Sequence, residues 1–442
     1  MKKILFPIYH FLPCATTHIH RLMRFLNYLA DIGEYEITVL TVRNPDDIMY
    51  DETLIKKLNS GIQIIRTASL FFGIHNRTKI VAEYRRDKQS ESRRKSGKEI
   101  FRTFFRIFIR PILNMINTPD NCVGWLPFAI YRGRKLMHDN KYDMIFCTGP
   151  PFSNFILSAI LKTDQTRLVL DYRDPWKNNE YMEKNYLFKW QHKISQKWEA
   201  YVLRRTNGII ANTKTMLDFI SEQNKHVLTN LDIKTTVIYN GVSFRQSIKP
   251  VKSQNRKIMF LHSGRFHGAI RTPKFFMEAM RALIDQGKIA AGKIEAVFLG
   301  NLSPSDFDQF SHIQTDDFCR FPGIVSHDEN LRLINEADCL IVIGGNGPHD
   351  SIYVPSKIFE YLQTSNLILG LLPHGEAFDI LENTGGAILT DTQHSASIQE
   401  AILEVIRRIE KNEPTHRNTE YLTNQFDCNR LNEKLNDFLK TV

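Results

Sequence analysis

The 442-residue chain has no long apolar run, no closely spaced cysteines and none of the short loops that mark the commonest nucleotide chemistries. No stretch reaches the ~20 apolar residues a helix needs to cross a bilayer. The six cysteines, at 14, 122, 147, 319, 339 and 428, show no CxxC or other short metal spacing. Several lie in apolar runs, such as Cys147 in "MIFCTG" and Cys339 in "ADCLIVI", where cysteine behaves as a small hydrophobe. That usage fits a reducing cytoplasm. No G-x-G-x-x-G follows the first strand-like run, which speaks against a dinucleotide oxidoreductase. The G-x-S-x-G elbow and the G-x-x-x-x-G-K-[ST] phosphate loop are missing too. The lone D-x-D triplet, Asp306-Phe307-Asp308, reads as a helix start rather than a metal pair, because aspartate is favoured in a first turn. No bound metal is expected. The opening "MKKILFPIYHFLPC" faintly resembles a secretory leader, and its Cys14 a lipoprotein cleavage site. Pro7 and His10 interrupt its apolar run and Pro13 replaces the small residue that processing needs, so it reads as a first β-strand.

What is there is length, a basic surplus and alternation. A chain this long exceeds one typical core, so two domains of roughly 200 residues each are expected. The net charge is +10, and much of the excess sits between Arg77 and Arg110. Within "IFRTFFRIFIRPILNMI", Ile100 to Ile116, Arg102, Arg106 and Arg110 recur every four residues among phenylalanines and isoleucines. Such a helix would lie in an anionic membrane interface, or else pack on its domain with the arginines solvated. No nucleic-acid partner is expected.

Strand-like and helix-like segments alternate throughout, which argues for parallel α/β layers. The first half offers "KKILFPIY", "EITVLTV", "MIFCTG", "RLVLDY", "GIIANT" and "TTVIYNGV"; the second offers "IMFLHSG", "EAVFLG", "CLIVIG" and "LILGLL". Between them "SFRQSIKPVKSQNRK", Ser243 to Lys257, is polar and basic and reads as a linker. The expected fold class is therefore α/β, with two doubly wound, Rossmann-like domains facing across a cleft. The expected boundaries are 1–245, 246–420, and a C-terminal helix over 421–442 that docks back on the first domain through Leu431, Leu435, Phe438 and Leu439. Ligands in such sheets bind beyond the carboxyl ends of the strands.

Three constellations could carry chemistry. In "LHSGRFHGAIRTPKFFMEAMRAL" a strand turns on Gly264 and Gly268, Arg265 and Arg271 flank the loop, and a helix begins near Thr272. A glycine turn, two arginines and a helix amino end suit a diphosphate, because guanidinium groups grip phosphate bidentately. In "VPSKIFEYLQ", Ser356 can cap a helix from Lys357 to about Gln363. Glu360 there would accept hydrogen bonds from a ribose, or simply pair with Lys357. In "RLVLDYRDPWKNN", Asp171, Arg173 and Asp174 stand at the mouth of a buried strand, where charges either pair or face a ligand. His18 and His20 in "THIHRLMRFLNYL" read as helical, where positions two apart diverge, so they are no metal pair.

"TGPPFSNFILSAIL" followed by "LVLDYRDPW", with "PDNCVGWLPFA" upstream, resembles a group of bacterial glycosyltransferases of the large retaining family with the GT-B architecture. "HSGRFHGAIRTP", "FPGIVSHDENLRLINEADCLIV" and "VPSKIFEYL" follow in the same order, so the resemblance spans about Met1 to Thr390. It implies an enzyme moving a sugar from a nucleoside-diphosphate sugar, with retention and without a metal or other cofactor. The implied acceptor is a glycan or lipid-linked intermediate of surface polysaccharide or lipopolysaccharide. The expected setting is cytoplasmic, or on the inner face of the membrane if the basic segment 77–116 makes that contact. By the same resemblance, Arg265 and Arg271 match the basic pair on the donor diphosphate. Glu360 matches the second of two paired glutamates, the one that holds the ribose. Where the first glutamate would stand, this chain has Ile352. Gly323 and Val325 match the turn that reads the base, and Gly264, Ser356 and Lys357 complete the donor side. The glycine-rich first loop of the family is here "CATTHIHR". Thr17, His18, Gly149, Pro150, Asp171, Arg173 and Asp174 fall on the acceptor side. Asp171, Arg265, Arg271 and Glu360 would carry the reaction. Alternatives are a sugar-nucleotide epimerase of the same fold, or a non-catalytic paralogue that engages a membrane or a partner enzyme.

Overall fold

In the computed structural model the described residues are 1–14, 17–43, 50–70, 117–179, 186, 188–243, 256–266, 270–300, 302, 304–347 and 349–442. The basic, Phe-rich segment 77–116, residues 244–255 of the expected linker and Gly268 lie outside them. The chain divides into two compact units, one of Met1–Ile238 with Asn432–Val442, the other of Tyr239–Leu431. The division falls after Ile238 rather than after residue 245, because Tyr239 and Val242 already belong to the second core. The Tyr239 ring meets Phe426 edge-on at 4.9 Å, and the Val242 amide donates to the Phe426 carbonyl at 2.7 Å.

The first unit holds β1 (Lys2–Pro7), β2 (Tyr35–Val42), β3 (Gln63–Thr67), β4 (Met144–Gly149), β5 (Arg167–Tyr172), β6 (Gly208–Ala211) and β7 (Lys234–Val237). They form one parallel sheet in the order β3-β2-β1-β4-β5-β6-β7. Strands buried on both faces must be apolar nearly throughout, and "MIFCTG" and "RLVLDY" are such runs. The helix Thr17–Asp31 buries Ile19, Leu22, Phe25, Leu26 and Leu29, the spacing of one helical face. The helix Ser153–Leu161 is buried on nearly every side, so it is mostly apolar, and its Ser153, Asn154 and Ser158 each make a hydrogen bond.

The second unit holds β8 (Ile258–Ser263), β9 (Ile294–Leu299), β10 (Cys319–Gly323), β11 (Cys339–Ile343), β12 (Leu367–Leu371) and β13 (Ala387–Thr390). Its parallel order is β10-β9-β8-β11-β12-β13. Alternate residues feed separate cores on the two faces: Phe260, Phe298 and Ile341 on one, Leu261, Val297 and Leu340 on the other. The order reverses between β8 and β11 here, and between β1 and β4 in the first unit; such switch points open a crevice at the strand ends.

The closing segment is two helices rather than one, Thr419–Phe426 and Cys428–Thr441. Asp427 parts them, its carboxylate accepting from the Asn429 and Arg430 amides at 2.9 and 3.1 Å. Asn432–Val442 joins the first unit, where Tyr35 donates to Asn436 at 2.8 Å and Lys440 pairs with Glu34 at 2.8 Å. Gly208 leaves room there, since a Cβ would stand 2.9 Å from Val442 and 3.1 Å from Phe438.

Candidate functional site

In the second unit three glycines shape the carboxyl ends of β8, β9 and β10. Gly264 follows β8 at φ +135° and Gly300 follows β9 at φ +123°, backbone that side chains rarely adopt. A Cβ on Gly300 would strike the Gly264 carbonyl, so the two turns lie in contact. The Gly264 amide donates to Leu299 at 3.1 Å, and the Gly300 amide to Gly323 at 2.9 Å. Gly323, at φ +83°, ends β10, and the half-buried Val325 two residues on packs against the second core. The helix Lys274–Asp285 begins two residues after Thr272, whose hydroxyl accepts from the Lys274 amide at 3.2 Å.

Positive charge gathers over these turns. Lys357 opens the helix Lys357–Tyr361, and its ammonium lies 2.9 Å from His262 Nε2. A Cβ on Gly264 would come within 2.7 Å of that ammonium, so the bare turn leaves it room. His262 is fully buried on β8 and its Nδ1 lies 3.0 Å from the Ile341 carbonyl of β11. Burial, then Lys357 and Arg271, hold the His262 imidazole well below its ordinary pKa, against the Ile341 bond. Burial and then Arg271 push Lys357 well below the usual lysine range, opposed by Glu360. Arg271 is half-buried, and its Nε–H is enclosed with no hydrogen-bond partner among the described residues. Arg265 is exposed. Arg271 and Lys357 are both half-buried and no described carboxylate pairs with either, a costly arrangement that a bound anion would relieve.

The alternative of an ion pair between Lys357 and Glu360 is not realised; the ammonium goes to His262. Burial raises the Glu360 pKa, against the lowering effect of Lys357, and no described protein group donates a hydrogen bond to its carboxylate. Ser356 stands at the N-cap position but makes no capping bond and is exposed, because its own backbone is already helical. Ile352 is buried in the short turn Asp350–Ile352. A small cavity there is lined by Arg271, Gly344, Gly345, Asp350, Tyr353 and Pro373, among others. Asp350 accepts from the Gly347 amide at 2.5 Å. Asp306 lies in the first turn of the helix Pro304–Phe307, as its sequence context implies.

In the first unit the structure corrects the expectation for Asp171. Its side chain is 2% exposed and that of Arg21 is 4% exposed. Arg21 donates to it through both Nη2 at 2.8 Å and Nε at 3.4 Å, and Thr148 through its hydroxyl at 2.9 Å. A carboxylate so enclosed and so bonded is a structural anchor between β4, β5 and the helix Thr17–Asp31, not a contact for substrate. Arg173 donates to the Pro150 carbonyl while its buried Nε–H has no partner among the described residues. Burial lowers the Arg173 pKa, with Asp174 and Asp171 opposing. His18 lies with its Nε2 3.2 Å from the His10 carbonyl; burial, then Arg173 and His10, push its pKa well down. Thr17 begins the same helix. Gly149 ends β4, where a Cβ would come 2.8 Å from the Phe155 ring. The helix Ser153–Leu161 that follows has its amino end occupied by Asp120, which accepts from the Ser153 amide at 2.9 Å and hydroxyl at 2.6 Å. Trp176 stacks on Phe152 at 4.7 Å and donates to Ser195 at 2.8 Å.

His262, Asp350 and Arg21 were not singled out from the sequence. Of these only His262 left a trace: a polar residue inside the apolar run "IMFLHS" must find partners when buried.

Residues 84–246 match the family model described as Glycosyltransferase Family 4. No curated protein sequence matches the chain. Among solved structures, Anabaena Alr3699/HepE in complex with UDP and glucose superposes with a TM-score of 0.61 at 14% identity, over 100% of both chains. Sucrose-phosphate synthase from Thermosynechococcus elongatus gives 0.58 at 12% identity, over 100% of this chain and 99% of its own. An alpha,alpha-trehalose-phosphate synthase (UDP-forming) from Burkholderia vietnamiensis gives 0.59 at 10% identity, over 100% of both. At such identities the likeness concerns the fold, and the fold is GT-B.

Proposed function

We propose that this chain is a GT-B glycosyltransferase that takes its sugar from a nucleoside-diphosphate donor. The observation that carries the reading is the cluster of Lys357, Arg271 and His262 at the β8–β11 reversal, with the Arg271 Nε–H and the Glu360 carboxylate both left without protein hydrogen-bond partners among the described residues. Half-buried cations without a carboxylate partner suit a diphosphate, and a carboxylate one helical turn away suits the paired hydroxyls of a ribose. The family model and the structures solved with UDP agree with that use.

In this reading the bond from the anomeric carbon to the phosphate oxygen breaks and its electrons stay on the leaving diphosphate. Arg265, Arg271 and Lys357 face that growing charge, and each fixed donor of this kind is worth about 3–4 kcal/mol of barrier. The backbone at Gly323 and Val325 lies beside the base, and Glu360 accepts from the ribose. We assign the acceptor to the first unit, near Thr17, His18, Gly149, Pro150, Arg173 and Asp174, with Asp171 holding that wall from behind. The family resemblance supports transfer with retention, without a metal, to a glycan or lipid-linked acceptor, and the basic, Phe-rich sequence 77–116 supports an anionic membrane face. The test is calorimetric titration of UDP, ADP and GDP in EDTA against wild type, Arg265→Ala and Arg271→Ala. Binding by the wild type and a loss of about tenfold or more in each variant is expected; equal affinity in all three proteins overturns the assignment.

A further inference from the structure

Lys357 and His262 share one proton too few for both to be cationic. The Ile341 carbonyl can only accept, so Nδ1 of His262 carries the ring proton, and Nε2 presents a lone pair to the ammonium 2.9 Å away. His262 cannot turn away from this duty. Its ring is fully enclosed, stacked on Phe266 at 4.7 Å and beside Phe298 at 6.3 Å. The ammonium it holds lies over the side-chain-free turn of Gly264. The charged groups that act on Lys357 are Arg271 in the loop before the helix Lys274–Asp285 and Glu360 on its own helix. Arg271 repels it, and Glu360 only partly compensates.

We propose that His262 is a positioning residue that fixes the Lys357 ammonium as the third cation of the diphosphate cradle, and that anion binding there is coupled to uptake of one proton by the His262–Lys357 pair. The proposal rests on the nucleotide-sugar reading above. Its physical content is a balance. With the site empty, burial and Arg271 favour loss of the lysine proton as the solution turns basic. A diphosphate supplies the missing negative charge, raises the lysine pKa, and draws one proton from solvent on to Nζ. Affinity therefore falls as pH rises through the depressed pKa of the empty site. Nothing is oxidised or reduced.

The experiment is titration calorimetry with whichever of UDP, ADP and GDP binds best, at about pH 8.5, where a terminal phosphate of pKa ≈ 6 is fully ionised. Buffers of different ionisation enthalpy count the protons exchanged. The wild type should take up protons on binding, and across a full pH series its affinity should fall as pH rises through the depressed Lys357 pKa. Lys357→Met should bind about 10- to 100-fold more weakly, with no proton uptake and a flat pH profile. His262→Asn keeps a donor for Ile341 but removes the acceptor for Lys357, and should lose about tenfold. His262→Gln carries its amide out to the Nε2 position and should recover most of that loss. Binding by the wild type without proton uptake, or uptake that survives Lys357→Met, overturns this proposal alone. Failure of all three nucleotides to bind the wild type overturns the nucleotide-sugar reading and the proposal with it.

Discussion

Removing Arg21 should unsettle the first unit far more than removing any exposed charge. The Arg21 and Asp171 side chains are 4% and 2% exposed, joined at 2.8 and 3.4 Å, with Thr148 on the same carboxylate at 2.9 Å. Arg21→Met keeps an apolar stem near the Phe25 ring, over which the guanidinium now sits at 4.6 Å, but it leaves Asp171 charged and enclosed. Breaking a buried pair from one side costs about 3–5 kcal/mol. With a urea slope of about 2–3 kcal/mol/M for a unit of this size, the midpoint should fall by roughly 1–2 M. The assay has a built-in selectivity, because all four tryptophans, Trp125, Trp176, Trp190 and Trp198, lie in the first unit. Trp125 and Trp176 are 0% and 3% exposed, so their emission shifts when that unit opens and is silent about the second. The double variant Arg21→Met/Asp171→Leu should recover much of the loss, since a buried pair replaced by apolar groups is close to neutral. A midpoint within about 0.3 M of wild type for Arg21→Met would refute the anchor role. So would an Asp171→Asn protein that keeps its midpoint and loses transfer, which would return Asp171 to the chemistry.

Two further outcomes concern the second unit. Gly264→Ala and Gly300→Ala each force a side chain into left-handed backbone, and the second also drives it into the Gly264 carbonyl. Each should cost at least about 1–3 kcal/mol in the thermal transition of the second unit, and a shift of less than 1 °C in both would contradict the contact between the turns. Glu360→Gln should weaken nucleotide binding yet steady the fold at neutral pH. The native carboxyl has a raised pKa, so its favourable contribution is complete below the unfolded value and is lost as pH rises through the folded one. The variant should thus match wild type in unfolding midpoint under acid conditions and exceed it at pH 7; a lower midpoint at pH 7 would show that the charge is satisfied inside the protein.

Much of the fold was legible because a parallel sheet demands continuous apolar strands, and runs such as "RLVLDY" and "CLIVI" supply them. The strands that escaped notice are β3, β10 and β13, each at a sheet edge. Their sequences "QIIRT", "CRFPG" and "AILT" are largely only half-buried, so burial never required a continuous run. The division after Ile238 was missed for a related reason: the polar composition of 243–257 marks a lack of core residues, whereas the boundary follows the contacts of Tyr239 and Val242.

The sites show the converse. "DYRDPW" is the most distinctive stretch in the chain, and most of its special residues are spent inside the first unit. Asp171 sits opposite Thr148 in the β4–β5 register and takes Arg21 from a helix 150 residues away in sequence. Trp176 closes on Phe152 and Ser195, while Arg173 keeps a buried Nε–H that has no partner among the described residues. The less distinctive segments "HSGR" and "SKIFE" hold Lys357, Arg271 close by, and a carboxylate that no described donor satisfies. No local pattern could pair His262 with Lys357, because the bond spans 95 residues and depends on β8 lying beside β11. Distinctive sequence here records long-range pairing that the fold needs, since a buried carboxylate held by three hydrogen bonds tolerates little change. On the function proposed above, the unpartnered Arg271 beside Lys357 is a better guide to the ligand than the most distinctive stretch of sequence.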